Sequence, residues 1–230
     1  MLRIAFTAAT LFVAVPASAQ DYRGVAFGGG TIADGGSGYA GAVIALPGAR
    51  LGRGLAVRGS VNAGTYRYDV NGVDIDADYV GGEAALVYQF SGAWGWTNLS
   101  VGPRVSDLAL QPDDPANERR GTTWDVGLQV DGAQQVSPKW RLDYFGSVGL
   151  LEGAFQTRLA LGRIVNERRQ TRLGLEGAVQ GDPRYTTLSG GGFIATQLAK
   201  DLQGQLSVGA QHQEGRDLRP YLSAGFSVLF

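Results

Sequence analysis

Apolar and polar residues alternate with a period of two along most of the chain, which is the pattern of β-strands. In the run 124–131, Trp, Val, Leu and Val occupy one face, and Asp, Gly, Gln and Asp occupy the other. The runs 140–144, 172–179 and 205–211 alternate in the same way. The polar face carries glycine, serine, glutamine and single charges, and no second sheet or helix is predicted to cover the apolar face. Both features favour an all-β transmembrane barrel whose apolar face meets lipid.

Twelve alternating segments are predicted, and together they form an antiparallel barrel. Strands of about 9–11 residues span the hydrocarbon layer when tilted. An even strand number is the rule for bacterial single-chain barrels, and it places both termini on the periplasmic side. Counts of ten or fourteen stay open because the first two segments are glycine-rich and have vague ends. The predicted segments are 22–31, 38–46, 55–67, 75–90, 95–107, 122–134, 139–150, 154–164, 170–179, 185–198, 202–213 and 218–230.

The connections and the tryptophans support this count. The longest connection, 108–121, falls in an extracellular slot, although the periplasmic turn 47–54 is longer than such a turn needs to be. Membrane barrels carry aromatic girdles at both interfaces. All four tryptophans lie at predicted strand ends, so the predicted girdle residues are Trp94, Trp96, Trp124 and Trp140.

The N-terminus has the layout of a secretory signal peptide. Arg3 supplies a positive charge, residues 4–16 are apolar, and Ala17-Ser18-Ala19 is a small-residue cleavage site. The sequence therefore predicts a signal peptide over 1–19 and a barrel over 20–230, exported by the general secretory route to the outer membrane of a Gram-negative cell. The formal net charge is −1 and there is no cysteine. This composition argues against a nucleic-acid partner and excludes disulfides and thiol chemistry.

The last strand ends in Phe230, with Val228 and Phe226 on the same face. This arrangement resembles the C-terminal recognition strand of bacterial outer-membrane barrels, which ends in an aromatic residue. The resemblance implies that these three residues form an assembly signal read by the barrel-assembly machinery. That machinery and outer-membrane lipid are thus expected partners.

One loop carries a more specific pattern, Pro-Asp-Asp-Pro-x-Asn over 112–117, followed by two arginines. It resembles the signature loop of the cellulose biosynthesis protein BcsS family, and the segments 38–42, 84–90 and 174–178 are also similar. The resemblance implies an outer-membrane accessory role in cellulose or exopolysaccharide production, with the polysaccharide and its synthase or export complex as partners. It implies no catalytic residues. The residues expected to contact glycan or a partner are Pro112, Asp113, Asp114, Pro115, Asn117, Arg119 and Arg120.

Alternation also assigns charged residues to the inside of the barrel. Five basic and five acidic side chains are expected there, so mutual pairing is predicted and not a strongly selective ion pore, because a buried charge without a partner is costly. A twelve-stranded barrel is narrower than the open porins, so both a threaded glucan chain and a plugged interior stay open. The predicted lumen charges are Arg58, Arg104, Arg141, Arg158 and Arg172 with Glu83, Asp125, Asp131, Asp143 and Glu176.

Candidate catalytic and metal chemistry is sparse. The single histidine, His212, is expected to face lipid near the extracellular rim, where an outer-membrane lipid hydrolase would place its base. No serine lies two residues away to act as nucleophile. We therefore predict a non-enzymatic protein without catalytic residues. A narrow glycan or solute channel is the alternative, and a lipid hydrolase is a weaker one.

No metal or cofactor is predicted. One histidine and no cysteine give no imidazole or thiolate cluster. Asp113, Asp114 and Asn117 could hold Ca²⁺ through oxygen atoms, but Asp and Asn between prolines are more often turn formers. The acidic residues over 74–78 are expected to form a solvated rim.

Overall fold

The computed structural model describes residues 22–33, 35–70, 72–115, 117, 119–183, 185–213 and 217–230. The signal peptide predicted over 1–19 lies outside these residues and stays a prediction. Among the residues described, no helix has the length and apolar character needed to cross a membrane.

The described residues form twelve antiparallel strands in a closed ring, in which β1 pairs with β12. This confirms the predicted fold class and strand number. Every strand pairs with its neighbours in the sequence, as expected for a barrel built from successive hairpins. In chain order the strands are β1 Gly24–Ile32, β2 Gly35–Ala45, β3 Gly54–Val70, β4 Val73–Gly92, β5 Gly95–Gln111, β6 Gly121–Ser137, β7 Trp140–Gly149, β8 Phe155–Asn166, β9 Thr171–Asp182, β10 Tyr185–Ala199, β11 Leu202–Gln213 and β12 Arg219–Leu229.

Side chains alternate between the lumen and the outer surface. In β4, Val87 and Gln89 are buried inside the barrel, whereas Leu86 and Tyr88 are about half exposed on its outer face. Leucine, valine and aromatic side chains cover the same outer belt on the other strands. A continuous apolar belt of this kind is stable only in contact with lipid.

Strands β3, β4 and β5 extend beyond this belt on the extracellular side. They contain 17, 20 and 17 residues, where about 9–11 suffice to cross the hydrocarbon layer. On the extension the outer face becomes charged, and Arg67 Nε lies 2.6 Å from Asp76 Oδ1. The inner face buries an aromatic cluster that includes Tyr66, Tyr68 and Tyr79. The acidic residues over 74–78 thus lie on the solvent-exposed face of the β3–β4 hairpin, in agreement with the solvated rim predicted from the sequence.

The long periplasmic turn between β2 and β3 folds into the end of the barrel. Its Leu51 side chain is buried against Val25, Val43 and Val87, and the backbone N–H of Gly52 donates to Gln89 Oε1 at 3.3 Å. The extra length of this turn therefore places an apolar side chain inside the periplasmic end of the barrel.

Three of the four predicted girdle tryptophans lie on the outside at strand ends. Trp94 and Trp140 are exposed at the periplasmic end, and Trp124 is exposed at the extracellular end. Trp94 also packs beside Phe90, with ring centroids 6.0 Å apart. The assignment of Trp96 is wrong, since its side chain is only 3% exposed. It occupies an inward-facing position of β5, on the same face as Asn98, because the alternation of the strand turns it into the lumen.

The C-terminal strand closes the ring against β1. The Phe230 carbonyl accepts hydrogen bonds from the backbone N–H groups of Arg23 and Gly24, at 2.8 and 3.0 Å. The rings of Phe226 and Phe230 are exposed on the outer face. The predicted assembly residues therefore lie at the seam, where the final strand completes the sheet.

Candidate functional site

A cluster of buried charges lies in the periplasmic half of the lumen, centred on Asp143 of β7. Arg141 Nε on the same strand donates to its carboxylate at 2.8 Å, and Arg172 of β9 donates to its other oxygen. All three side chains are at least four-fifths buried. Two guanidinium groups thus share one carboxylate, which joins strands that are not neighbours in the sheet.

A second cluster crosses the lumen from β3 to β6. Arg58 Nη2 lies 3.4 Å from Asp131 Oδ1 and also donates to the hydroxyl of Ser100. The amide of Asn98 donates to Asp131 Oδ2 at 2.9 Å and accepts from Gln89 Nε2 at 3.1 Å. Charge-assisted bonds and amides together satisfy the buried carboxylate.

Two further ion pairs lie towards the extracellular side. Arg104 pairs with Glu83 on the adjacent strand, and its Nη2 donates to Ser147 Oγ at 2.7 Å. Arg158 pairs with Glu176, which also accepts from Tyr221 at 2.8 Å. Nine of the ten predicted lumen charges therefore lie in ion pairs.

The expectation of mutual pairing is wrong for Asp125. Its carboxylate accepts from the backbone N–H groups of Val126 and Leu151, at 2.6 and 2.9 Å. Among the described residues, no arginine lies within ion-pair distance of the Asp125 carboxylate. Arg104 lies opposite it in the ladder but pairs with Glu83, while Asp143 takes two arginines. Mutual pairing therefore fails at Asp125, because Arg104 lies between two carboxylates on its two neighbouring strands and pairs with Glu83. The stagger of the closed barrel also lets Asp143 take Arg172 from beyond the adjacent strand.

The two halves of the lumen differ. In the described periplasmic half, the charged side chains of Arg58, Asp143 and Arg172 are buried. The apolar side chains of Ala160, Phe193 and Ala195 are buried there as well. In the extracellular half lies a cavity of about 270 Å³ that is partly open to solvent. Its lining combines charged residues such as Glu83, Arg104 and Asp125 with apolar and aromatic ones. The lumen is thus packed in its periplasmic half and hollow in its extracellular half.

The loop with the Pro-Asp-Asp-Pro-x-Asn pattern folds inward over the β3–β5 extension. The Tyr68 hydroxyl donates to Asp114 Oδ2 at 3.1 Å and accepts from Asn117 Nδ2 at 3.3 Å. Asn117 is fully buried and Asp114 nearly so. The expectation that these two residues contact an external glycan or partner is therefore wrong, because both side chains are buried and hydrogen-bond to Tyr68.

Arg119 carries the same loop across the barrel mouth. Its Nη1 lies 2.6 Å from Asp182 Oδ2 at the end of β9, and its Nη2 donates to the Glu152 carbonyl at 3.2 Å. Its Nε also lies 3.6 Å from the Glu152 carboxylate. This side chain ties the loop to the β7–β8 connection and to the end of β9, so its contacts serve the fold.

The remaining loop residues point to solvent. Pro112, Asp113, Pro115 and Arg120 are exposed, and Arg120 Nη1 lies 2.9 Å from Asp113 Oδ2. Asp113 faces Arg120 while Asp114 faces Tyr68, so the two carboxylates do not converge as calcium ligands would.

His212 lies on the outer face of β11 and is exposed. Its partner in the ladder with β10 is Leu188, which offers no hydroxyl group. A hydrolytic nucleophile must lie within hydrogen-bond reach of its base, and the directly paired residue does not meet that need.

Several residues that shape the lumen were not predicted from the sequence. Tyr68, Glu152 and Asp182 bind the loop, and Leu51 is buried inside the periplasmic end. The unusual length of the turn 47–54 was the available signal for Leu51. The others depend on contacts between distant segments, which alternation alone does not specify.

The closed ring, the apolar outer belt and the polar lumen define a transmembrane β-barrel of the outer-membrane type, which supports an outer-membrane location. Its fold is shared with the translocator domain of the autotransporter NalP from Neisseria meningitidis, at a TM-score of 0.50 and 13% identity, covering 90% of this chain and 88% of that one. The TodX deltaS2S3 mutant monoaromatic hydrocarbon channel matches with the same TM-score, 9% identity and the same coverage. The KdgM porin matches at 0.48 and 10% identity, over 90% of this chain and 99% of its own.

The family is shown by sequence. The family model for the cellulose biosynthesis protein BcsS matches residues 25–230, which is nearly all of the barrel. The chain belongs to the BcsS family, and this confirms the resemblance drawn from the loop pattern. The comparison with curated proteins found no match.

Proposed function

We propose that this protein is a non-enzymatic outer-membrane accessory of cellulose or related exopolysaccharide production, which acts through its surfaces and not as an open pore. Membership of the BcsS family supports the link to cellulose. The signal peptide over 1–19 would deliver the chain by the general secretory route. Its expected partners are the polysaccharide and the synthase or export complex.

The packed periplasmic half of the lumen is the observation that carries this proposal. A glucan chain passing there would have to displace the Leu51 turn and separate Arg58 from Asp131 and Arg172 from Asp143. Separating a buried ion pair leaves uncompensated charges in a low-dielectric interior, which is strongly unfavourable. The packed half therefore supports a role that does not depend on transport through the barrel.

Single-channel recording tests this point. We expect the refolded barrel in a planar bilayer to show no steady conductance, because buried charged and apolar side chains occupy the described periplasmic half of its lumen. An open porin in the same bilayer serves as the positive control for detection. A steady conductance that is blocked by added cello-oligosaccharide would overturn the accessory proposal.

That outcome would support the second candidate, a narrow glycan or solute channel. The cavity in the extracellular half favours it, since charged and amide side chains are part of its lining and a channel needs hydrophilic groups along its path. In that case replacement of Arg58 or Glu83 would alter the conductance, because both side chains project into the lumen.

A deletion strain tests the link to polysaccharide. We expect loss of the gene to reduce cellulose at the cell surface, measured by dye binding and by the glucose released on cellulase digestion. Complementation with the wild-type gene should restore it, and so should the His212→Ala variant, because the proposed role uses no catalytic base. Normal cellulose in the deletion strain would contradict the proposal, and failure of His212→Ala to complement despite normal barrel levels would favour the hydrolase.

A further inference from the structure

A row of polar side chains lines the inner wall at the extracellular end of β8 to β11. Gln156 pairs in the ladder with Gln180, Gln180 with Thr187, and Thr187 with Gln213. Residues that pair across neighbouring strands point to the same face, so all four side chains project into the lumen. The row presents three amides and one hydroxyl beneath the extracellular connections.

Three members of this row hold polar atoms that are buried and have no hydrogen-bond partner among the described residues. They are Gln180 Nε2, Thr187 Oγ1 and Gln213 Nε2. Gln180, Thr187 and Gln213 are each more than nine-tenths buried. Buried polar groups are normally satisfied, so these atoms lack partners that a ligand hydroxyl could supply. Of the three residues, Gln180 also lines a cavity.

Gln180 connects this row to the large extracellular cavity of about 270 Å³, which it helps to line. Other sides of the cavity carry the amides of Asn62 and Gln129 and the aromatic rings of Tyr79 and Phe145. Ligand sites combine apolar and aromatic walls with a few placed polar groups, and their volumes begin at roughly 300 Å³. The cavity, at about 270 Å³, lies just below that range and is partly open to solvent. It therefore suits the end of an oligosaccharide, whose sugar rings have apolar faces and hydroxyl edges.

The charges around the cavity select against acidic ligands. Both of its arginines are already engaged, Arg104 by Glu83 and Arg119 by Asp182 and Glu152. Asp125 adds a carboxylate that is held by backbone N–H groups and not by an arginine. An anionic sugar would meet excess negative charge and no free guanidinium group among the described lining residues, which disfavours it.

We infer that the extracellular cavity binds a short segment of a neutral, hydroxyl-rich glycan. Gln180 would turn its buried amide into the cavity and donate a hydrogen bond to a sugar hydroxyl. The choice of a β-1,4-glucan as the ligand rests on the proposed function. The cavity would then hold polysaccharide at the cell surface, above the packed half of the lumen, which the chain does not cross.

Calorimetric titration of the refolded barrel with cellotetraose tests the inference through the Gln180→Leu variant. Leucine has a similar size but no donor, so we expect binding to weaken by about tenfold, as one lost hydrogen bond implies. The denaturant midpoint should stay equal or rise, because the variant removes a buried donor that has no hydrogen-bond partner among the described residues. The matched control is Gln197→Leu on β10, whose amide donates to the Lys200 carbonyl at the periplasmic rim at 2.6 Å, and it should bind as the wild type does.

Titration with tetragalacturonate, an anionic tetrasaccharide, tests whether the cavity disfavours negatively charged ligands. We expect the wild type to bind it far more weakly than cellotetraose. The Asp125→Asn variant should reduce the ratio of the two affinities. Equal binding of the two sugars, equal affinities of Gln180→Leu and the wild type, or no binding of cellotetraose would overturn the inference. If any of these results is obtained but the deletion strain still loses cellulose, the proposed accessory role is supported and only the glycan-binding site is rejected.

Discussion

Replacing Asp143 by alanine is expected to lower the free energy of unfolding of the barrel by about 3–5 kcal/mol, the range for removing one partner of a buried ion pair. The reason is that Asp143 is the carboxylate shared by Arg141 and Arg172, and its side chain is 1% exposed. Without it, two guanidinium groups would lie close together in the lumen with no counter-charge. The loss should therefore fall at the upper end of the range.

Denaturant unfolding of the barrel refolded in lipid vesicles, followed by tryptophan fluorescence, measures this change. The control is Asp76→Ala, which breaks another Asp–Arg pair in which both side chains are about 60% exposed. Exposed pairs contribute only about 0.2–1 kcal/mol because water and salt screen them. Equal losses for the two variants would show that the Asp143 cluster is not the buried centre described above.

Replacing Val101 by arginine should destabilise the barrel by about 2–4 kcal/mol, the cost of a cation on the lipid face near the middle of the bilayer. Val101 points outward from β5 and pairs in the ladder with Leu86 and Leu128. All three side chains are exposed in the apolar belt, so an arginine there would have no polar neighbour in the ladder.

Ala109→Arg is the matched control, since Ala109 lies on the same strand and the same face. It belongs to the extracellular extension and pairs in the ladder with Asp78, so a cation there would meet water and a carboxylate. We expect this variant to unfold within about 0.5 kcal/mol of the wild type, as surface substitutions usually do. The same unfolding assay compares the two, and a similar penalty at both positions would contradict the placement of the lipid belt.

Much of the fold could be read along single strands. Alternation identified twelve strands and the face of each lumen charge, because in a β-strand the direction of a side chain depends only on its parity. Trp96 is predicted to be a girdle residue from its place at the end of a strand alone, which leaves out whether its odd or even position along the strand faces outward or inward. It lies at a strand end, as a girdle residue should, but its parity matches that of Arg104 and turns it inward.

The candidate site was less predictable because its contacts join distant segments. Nothing near residues 114–117 indicates that Asp114 and Asn117 will be buried by Tyr68, which is more than forty residues away in the chain. Likewise, Arg172 reaches Asp143 across an intervening strand, and that contact depends on how far each strand is staggered relative to its neighbours. The stagger is a property of the closed ring and not of any one strand.

The sequence by itself determined the class of barrel, the strand number, the lipid-facing belt and the family, because these depend on local alternation and on a short loop pattern. Only the tertiary structure decided which charges pair, that the periplasmic half is packed, and that the loop folds inward over a cavity. Those features arise when closure brings side chains from distant strands into one lumen. There the cost of burying polar groups selects the arrangement that satisfies most of them.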